Sequence, residues 1–308
     1  MATKKDLLGM MDVKEEIFVL LDRAKEIKAW QKQGQAHEIL RGKTLGMIFE
    51  KASTRTRLSF EVGMTQLGGH AIYLSPKDMQ MGRGETIADT GRVLSRFVDA
   101  IVYRAFDHRM VAELAANSSV PVINALDDKE HPCQIMADIL TVMEHKGDPS
   151  KLKFAYVGDG NNVCNSLLLG CAMVGMNISV GCPEGYDPNG DILHQAKHIA
   201  GGMGSKVEVT RFPQTAVEYA DVIYTDVWVS MGDEATAAKR EKDLLPFQVN
   251  EALVASAKGN CIVMHCLPAH RGLEITDQVI DGPQSVVFDQ AENRLHAQKA
   301  ILERLIPH

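Results

Sequence analysis

Ten short apolar runs, most of them rich in β-branched residues, alternate with segments of helical periodicity along almost the whole chain. The first half carries them at Leu45–Phe49, Ala71–Leu74, Ala100–Tyr103 and Pro121–Asn124, with helices expected between them, for example at Thr54–Leu67 and Thr86–Phe97. The second half repeats the rhythm at Phe154–Val157, Ile178–Gly181, Val207–Val209, Val222–Thr225, Ile262–His265 and Val286–Phe288. Buried strands separated by helices can close only as parallel sheets with right-handed crossovers. Two such stretches in 308 residues predict two doubly wound α/β domains. The helix opening after Glu130, with its stripe of Ile135, Met136, Ile139, Leu140 and Met143, is expected to join them, stopped by Gly147-Asp148-Pro149. The domains are then 1–147 and 151–290, and the last helix, Ala291–Leu305 within 291–308, is expected to pack back on the first. In such sheets ligands bind beyond the carboxyl ends of the strands, so the residues following each strand deserve the closest reading.

Charge narrows the partners. The 33 Lys and Arg against 40 Asp and Glu leave a net charge of -7, which disfavours nucleic-acid or anionic-membrane binding but allows one local cationic pocket. The six cysteines form no C-x-x-C pair, which fits a reducing compartment, and no apolar run approaches the roughly 18 residues of a membrane span. The opening Met1-Ala2-Thr3-Lys4-Lys5-Asp6 reads as neither transit peptide nor signal, so a cytoplasmic location is expected.

After Leu45–Phe49 come Lys51 and then Ser53-Thr54-Arg55-Thr56-Arg57 at a helix start. Ser53 is a good N-cap, and the unpaired N–H groups of the first turn favour an anion. Arginine there opposes the helix dipole, so two of them need a reason, and a phosphate dianion supplies one. Arg104 follows another strand, and His131-Pro132-Cys133-Gln134 opens the joining helix, with Pro132 at its first position. Arg55, Arg104, His131 and Gln134 at one sheet edge could bind a phosphate and polarise a carbonyl beside it.

In the second half, Gly158-Asp159-Gly160-Asn161-Asn162-Val163 follows a strand and opens a helix. The pattern invites a dinucleotide reading, with Glu184 as the ribose acid, but Val163 replaces the third glycine and Asp159 would repel a pyrophosphate. A polar turn whose Asn162 reaches a small ligand fits better than NAD. Asp226 ends Val222–Thr225 and could hold an ammonium group; the charged stretch after it, through Lys242, reads as a lid. Cys266 follows Ile262–His265, where reactive residues sit. No His/Cys/carboxylate spacing suggests a metal site, and Gly-x-Ser-x-Gly and Walker A loops are absent.

Ser53-Thr54-Arg55-Thr56, His131-Pro132-Cys133-Gln134 and His265-Cys266-Leu267-Pro268 together resemble, in order, the signatures of the aspartate/ornithine carbamoyltransferase family, and the similarity runs from about Lys4 to Leu305. The cysteine of His-Cys-Leu-Pro, and Asp226 with Ser230-Met231-Gly232, are similar to the pattern of the ornithine branch. The resemblance implies that 1–147, with 291–308, binds carbamoyl phosphate through Ser53, Thr54, Arg55, Thr56, Arg104, His131, Pro132, Cys133, Gln134, Cys266, Leu267 and Arg294. It implies that 151–290 binds ornithine through Asn162, Asp226, Ser230 and Met231. Arg104, His131, Asp226 and Cys266 would be catalytic, without metal or organic cofactor. The family unit implied is a homotrimer or larger assembly whose sites are shared between subunits, Gln80 reaching a neighbour's site. A cis Leu267–Pro268 bond is implied as well.

Overall fold

The computed structural model describes residues 4–75, 77, 79–81, 83–229 and 234–308. Two α/β units make up the chain: Met1–Leu140 with Glu292–His308, and Thr141–Ala291.

The first unit begins with α1 (Ile17–Lys32) and continues β1 (Thr44–Phe49), α2 (Thr54–Gln66), β2 (His70–Leu74), α3 (Ile87–Leu94), β3 (Ala100–Arg104), α4 (His108–Asn117), β4 (Val122–Leu126) and α5 (Pro132–Lys146). Its strands are all parallel in the order β2-β1-β3-β4. The second unit runs β5 (Lys153–Val157), α6 (Asn162–Met173), β6 (Asn177–Gly181), α7 (Gly190–Met203), β7 (Val207–Thr210), α8 (Pro213–Val217), β8 (Val222–Thr225), α9 (Ala237–Leu244), α10 (Glu251–Val254), β9 (Ile262–His265) and α11 (Asp277–Ile280). Its parallel order is β7-β6-β5-β8-β9. The final helix, α12 (Val287–Leu305), starts in the second unit and ends in the first, and α5 passes from the first into the second.

Burial explains which strands read most clearly. β3, β8 and β9 are buried at every residue, as strands covered on both faces must be, and so appear as unbroken apolar runs. β2 and β7 are sheet edges, with no residue of β2 and only Val207 of β7 buried. The first core gathers Ile48, Ile101, Tyr103, Leu114 and Val122; the second gathers Val157, Ile223, Val263, Leu253 and Val279.

One expected strand is absent. Val286–Phe288 leads into α12, which starts at Val287, rather than forming a tenth strand. Ser285 makes only an isolated bridge to Val263, after which Gln290 N–H donates to Val286 O at 2.9 Å and the chain turns helical. A short β-branched run cannot by itself be told from a helix start. The C-terminal part of α12 packs within the first unit: Lys28 donates to Asn293 at 2.8 Å, and Arg23 pairs with Glu303 at 2.7 Å.

Each sheet reverses its strand order once, between β1 and β3 and between β5 and β8. At such a reversal the flanking helices leave to opposite faces and open a crevice at the strands' carboxyl ends. Gly160 lies at the second reversal, where backbone closes around it: a Cβ there would sit 2.3 Å from Pro188 N and 2.7 Å from Tyr186 O. Main-chain atoms cannot swing aside, so Gly160→Ala is expected to destabilise by about 3 kcal/mol or more, the upper end for overpacking. Thermal unfolding checks this; an unchanged melting temperature would contradict the close approach.

Candidate active site

In the first unit the elements deliver their post-strand residues to one sheet edge. Ser53 caps α2, its hydroxyl accepting from Thr56 N–H at 3.3 Å. Thr54 and Arg55 occupy the first turn, Thr54 exposed and Arg55 half-buried. Arg104, the buried last residue of β3, stands opposite Phe49 of β1. Glu50 ties these two strand ends together by accepting from Tyr103 OH at 2.9 Å and Phe106 N–H at 2.8 Å.

The turn that launches α5 is built by Asp127, fully buried, which accepts from Lys129 N–H at 2.8 Å and Glu130 N–H at 2.7 Å. His131 follows, buried, and Pro132 is the first helical residue. Cys133 is core: its thiol donates to Asn124 O, and burial pushes it up to about 12, so it is no thiolate. Gln134 donates to Asp138 at 2.8 Å and accepts from Arg294, which also donates to Thr56 Oγ1 at 3.2 Å. Arg294, from α12, thus joins the α2 start to the α5 start.

Burial drives the pKa of His131 well below its ordinary 6.5, and Arg294, Arg104 and Arg55, in that order, push it further down. Three guanidinium groups therefore surround a neutral imidazole, the surroundings an anion would complete. Stability carries the mark of this. The folded-state pKa lies below the unfolded one, so as pH falls through 6.5 the unfolded chain takes up a proton that the folded chain refuses, and stability is lost. His131→Asn is expected to flatten that acid slope in a melting-temperature series; an unchanged slope would contradict the assignment.

In the second unit, Asn161 caps α6, accepting from Val163 and Cys164 N–H at 3.0 and 3.1 Å. Those N–H groups are the ones a dinucleotide's pyrophosphate would need, and Asp159 is held by Arg240 at 2.7 Å. Asn162, half-buried, accepts from Val163 N–H at 3.0 Å. Asp226 is buried at the end of β8, between two donors: Asn161 Nδ2 at 2.8 Å and the Cys266 thiol at 2.9 Å. At the end of β9, buried His265 accepts the Leu267 N–H at 2.9 Å through Nδ1, which puts its proton on Nε2, 3.1 Å from buried Glu274. Leu267 has φ 58° and its bond to Pro268 is cis.

Among the described residues, Asp226, His265 and Cys266 converge, one donor atom from each lying within 4.8 Å of the others, a set able to hold a metal ion. Sequence spacing gave no sign of it, since Asp226 comes from a different strand; both His265 nitrogens and the Cys266 thiol are already engaged as above.

Gln80 is exposed, its carbonyl accepting from Arg83 N–H at 2.8 Å. Ser230 and Met231 lie outside the described residues. The charged stretch expected as a lid contains α9. Sequence reading passed over Asn161, Glu50 and Asp127. The first could have been found from its place as an N-cap before Val163, and Asp127 from the local turn it makes with the N–H groups two and three residues on; Glu50 had no signal short of the strand pairing that brings Tyr103 close.

Known proteins match along the chain. Residues 5–144 match the model for the carbamoyl-P binding domain of aspartate/ornithine carbamoyltransferase, and residues 150–305 match its Asp/Orn binding domain. An ornithine carbamoyltransferase of Methanosarcina acetivorans is 56% identical over 98% of this chain and 99% of its own. A catabolic ornithine carbamoyltransferase of Thermoplasma volcanium is 54% identical over 99% of each. The solved ornithine carbamoyltransferase of Pyrococcus furiosus superposes with a TM-score of 0.96 at 55% identity, covering 99% of this chain and 97% of that one. The chain belongs to the aspartate/ornithine carbamoyltransferase family.

Proposed function

We propose that this protein transfers the carbamoyl group of carbamoyl phosphate to the δ-amine of L-ornithine, giving L-citrulline and phosphate. The observation that carries the choice of ornithine is Asp226: a buried carboxylate between a thiol and an amide at a strand end suits an ammonium or amine. An aspartate co-substrate would bring a second carboxylate to that floor and be repelled.

In this reading 1–147, with 291–308, binds carbamoyl phosphate, and 151–290 binds ornithine. Ser53, Thr54, Arg55, Thr56 and the α2 N-terminus hold the phosphoryl oxygens, while Arg104 and neutral His131 donate to the carbonyl oxygen as it gains charge. Gln134 is oriented for the carbamoyl group by Arg294, and Pro132, Cys133, Cys266 and Leu267 are read as binding it as well. A Lys-like amine has a pKa near ~10.4, so presenting it neutral at pH 8 costs about 3 kcal/mol. Asp226 and Cys266 orient it, Asn162, Ser230 and Met231 hold the amino-acid end, and the departing phosphate takes the proton. No dedicated protein base is then required, nor a metal or organic cofactor. The working unit is a cytoplasmic homotrimer or larger assembly, with Gln80 completing a neighbour's site. Relatives of both catabolic and anabolic name share this fold, so one site serves arginine synthesis or breakdown.

The test is a substrate panel: carbamoyl phosphate with ornithine, putrescine, N-acetylornithine or aspartate, measuring phosphate and carbamoylated product. Citrulline with ornithine alone is expected. Turnover with aspartate or putrescine instead would overturn the choice of acceptor.

A further inference from the structure

Arg240 lies in the charged stretch that follows Asp226, and it connects the two strand ends on either side of that residue's turn. Its Nη1 donates both to Asp159 Oδ2, at 2.7 Å, and to Trp228 O, at 3.1 Å. Asp159 belongs to the turn after β5, and Trp228 lies two residues beyond Asp226 after β8. One guanidinium therefore clips the two strand ends that flank the second sheet's reversal. Asn161, in the same turn, reaches Asp226 directly.

The surroundings hold Arg240 in place. Its guanidinium carbon lies 5.4 Å from the centre of the Tyr186 ring, and Lys239 Nζ lies 5.5 Å from it. The Tyr186 hydroxyl donates to Asp243 at 3.0 Å, so one tyrosine receives three residues of α9. The Tyr186 carbonyl in turn accepts from Gly160 N–H at 2.9 Å, and Arg211 braces the same segment through Asp187 at 2.6 Å and Cys182 O at 3.3 Å. Thus α9 is fastened to the Asp159–Asn161 turn from two directions.

The Arg240 and Asp159 side chains retain only 19% and 11% of their exposure. At that depth the attraction of an ion pair is largely offset by lost hydration, so the pair contributes little net stability; what it gives is a fixed geometry.

We propose that Arg240 is a positioning residue for the amino-acid substrate, setting the separation of Asp226 from Asn161 and Asn162 through its joint hold on Asp159 and the Trp228 carbonyl. This rests on the reading that ornithine binds at Asp226 and Asn162. The amino-acid end of the substrate is met at Asn162, beside the Asp159–Asn161 turn, so a loosened turn weakens binding of the amino acid with or without its δ-amine and leaves carbamoyl phosphate untouched.

The experiment compares wild type with Arg240→Met, Asp159→Asn, Asp159→Leu and the double variant Asp159→Leu/Arg240→Met. It reads KM for each substrate, melting temperature, and calorimetric binding of L-norvaline with carbamoyl phosphate present. L-norvaline keeps ornithine's carboxylate and α-amine but has no δ-amine, so it reports the pocket without turnover. Arg240→Met is expected to raise the ornithine KM and the L-norvaline Kd together by about tenfold or more, with carbamoyl phosphate KM within about twofold. Asp159→Asn keeps an acceptor for the guanidinium and should stay within about threefold of wild type, while the double variant should be no worse than either single loss, as coupled partners behave. Unchanged L-norvaline binding in Arg240→Met would overturn the proposal. So would KM values that rise for both substrates in step with a falling melting temperature, the mark of a merely structural residue. Should wild type neither bind L-norvaline nor form citrulline, the ornithine reading itself fails, and the proposal with it.

Discussion

Replacing Arg55 with alanine is expected to cut kcat/KM for carbamoyl phosphate by roughly 10²–10³-fold, the loss seen when one preorganised donor to a developing anion is removed. Arg55 sits in the first turn of α2, where the helix dipole already favours an anion and disfavours a cation. It acts on buried His131 alongside Arg294 and Arg104. Removing a cation from a helix start should leave stability unchanged within about 1 kcal/mol, or improve it slightly. Function and stability are therefore expected to move independently. Initial rates at varied carbamoyl phosphate, with the melting temperature of the same preparation, check both; an unchanged carbamoyl phosphate requirement would show that the phosphoryl group is held elsewhere.

The second large effect concerns the other substrate. Asp226→Asn preserves shape but removes the charge that draws the amine, and kcat/KM for ornithine is expected to fall roughly 10²–10³-fold, the loss seen when one preorganised electrostatic partner of a reacting group is removed. The carbamoyl phosphate requirement should hold, because the cationic cluster belongs to the first unit. The fold should survive with a cost of about 1 kcal/mol. The reason is local: the Cys266 thiol still finds an acceptor at Oδ1, whereas Asn161 Nδ2 loses its acceptor at Oδ2. Steady-state kinetics with each substrate varied in turn measures this. Equal losses toward both substrates would count against Asp226 as the amine's partner.

The fold was legible wherever burial leaves a simple mark. β3, β8 and β9, covered on both sides, show as continuous apolar runs. Ser53 and Thr86 announce their helices because capping is local chemistry: each side chain accepts from the N–H three residues on. The expected strand at Val286–Phe288 fails for the complementary reason, since composition cannot say whether a short run keeps pairing after one bridge or turns into a helix. Within the candidate site, residues directly after strands were singled out because sheet topology makes those positions special. Glu50 and Arg240 escaped notice, and Asp159 was read only as an acid that would repel a pyrophosphate. Each works by holding another residue across tens of positions, and only the packed chain shows such a partnership.

The most direct measurement follows the transferred atoms. Carbamoyl phosphate carrying ¹³C in its carbonyl is incubated with ornithine carrying ¹⁵N at the δ position, and the product is examined by NMR while phosphate is counted. The expected result is a one-bond ¹³C–¹⁵N coupling in citrulline, one phosphate released per citrulline formed, and loss of both signals together in Arg55→Ala and in Asp226→Asn. Phosphate released without that coupling, or a coupling that persists undiminished in both variants, would contradict the assignment of Arg55 to the phosphoryl group and Asp226 to the attacking amine.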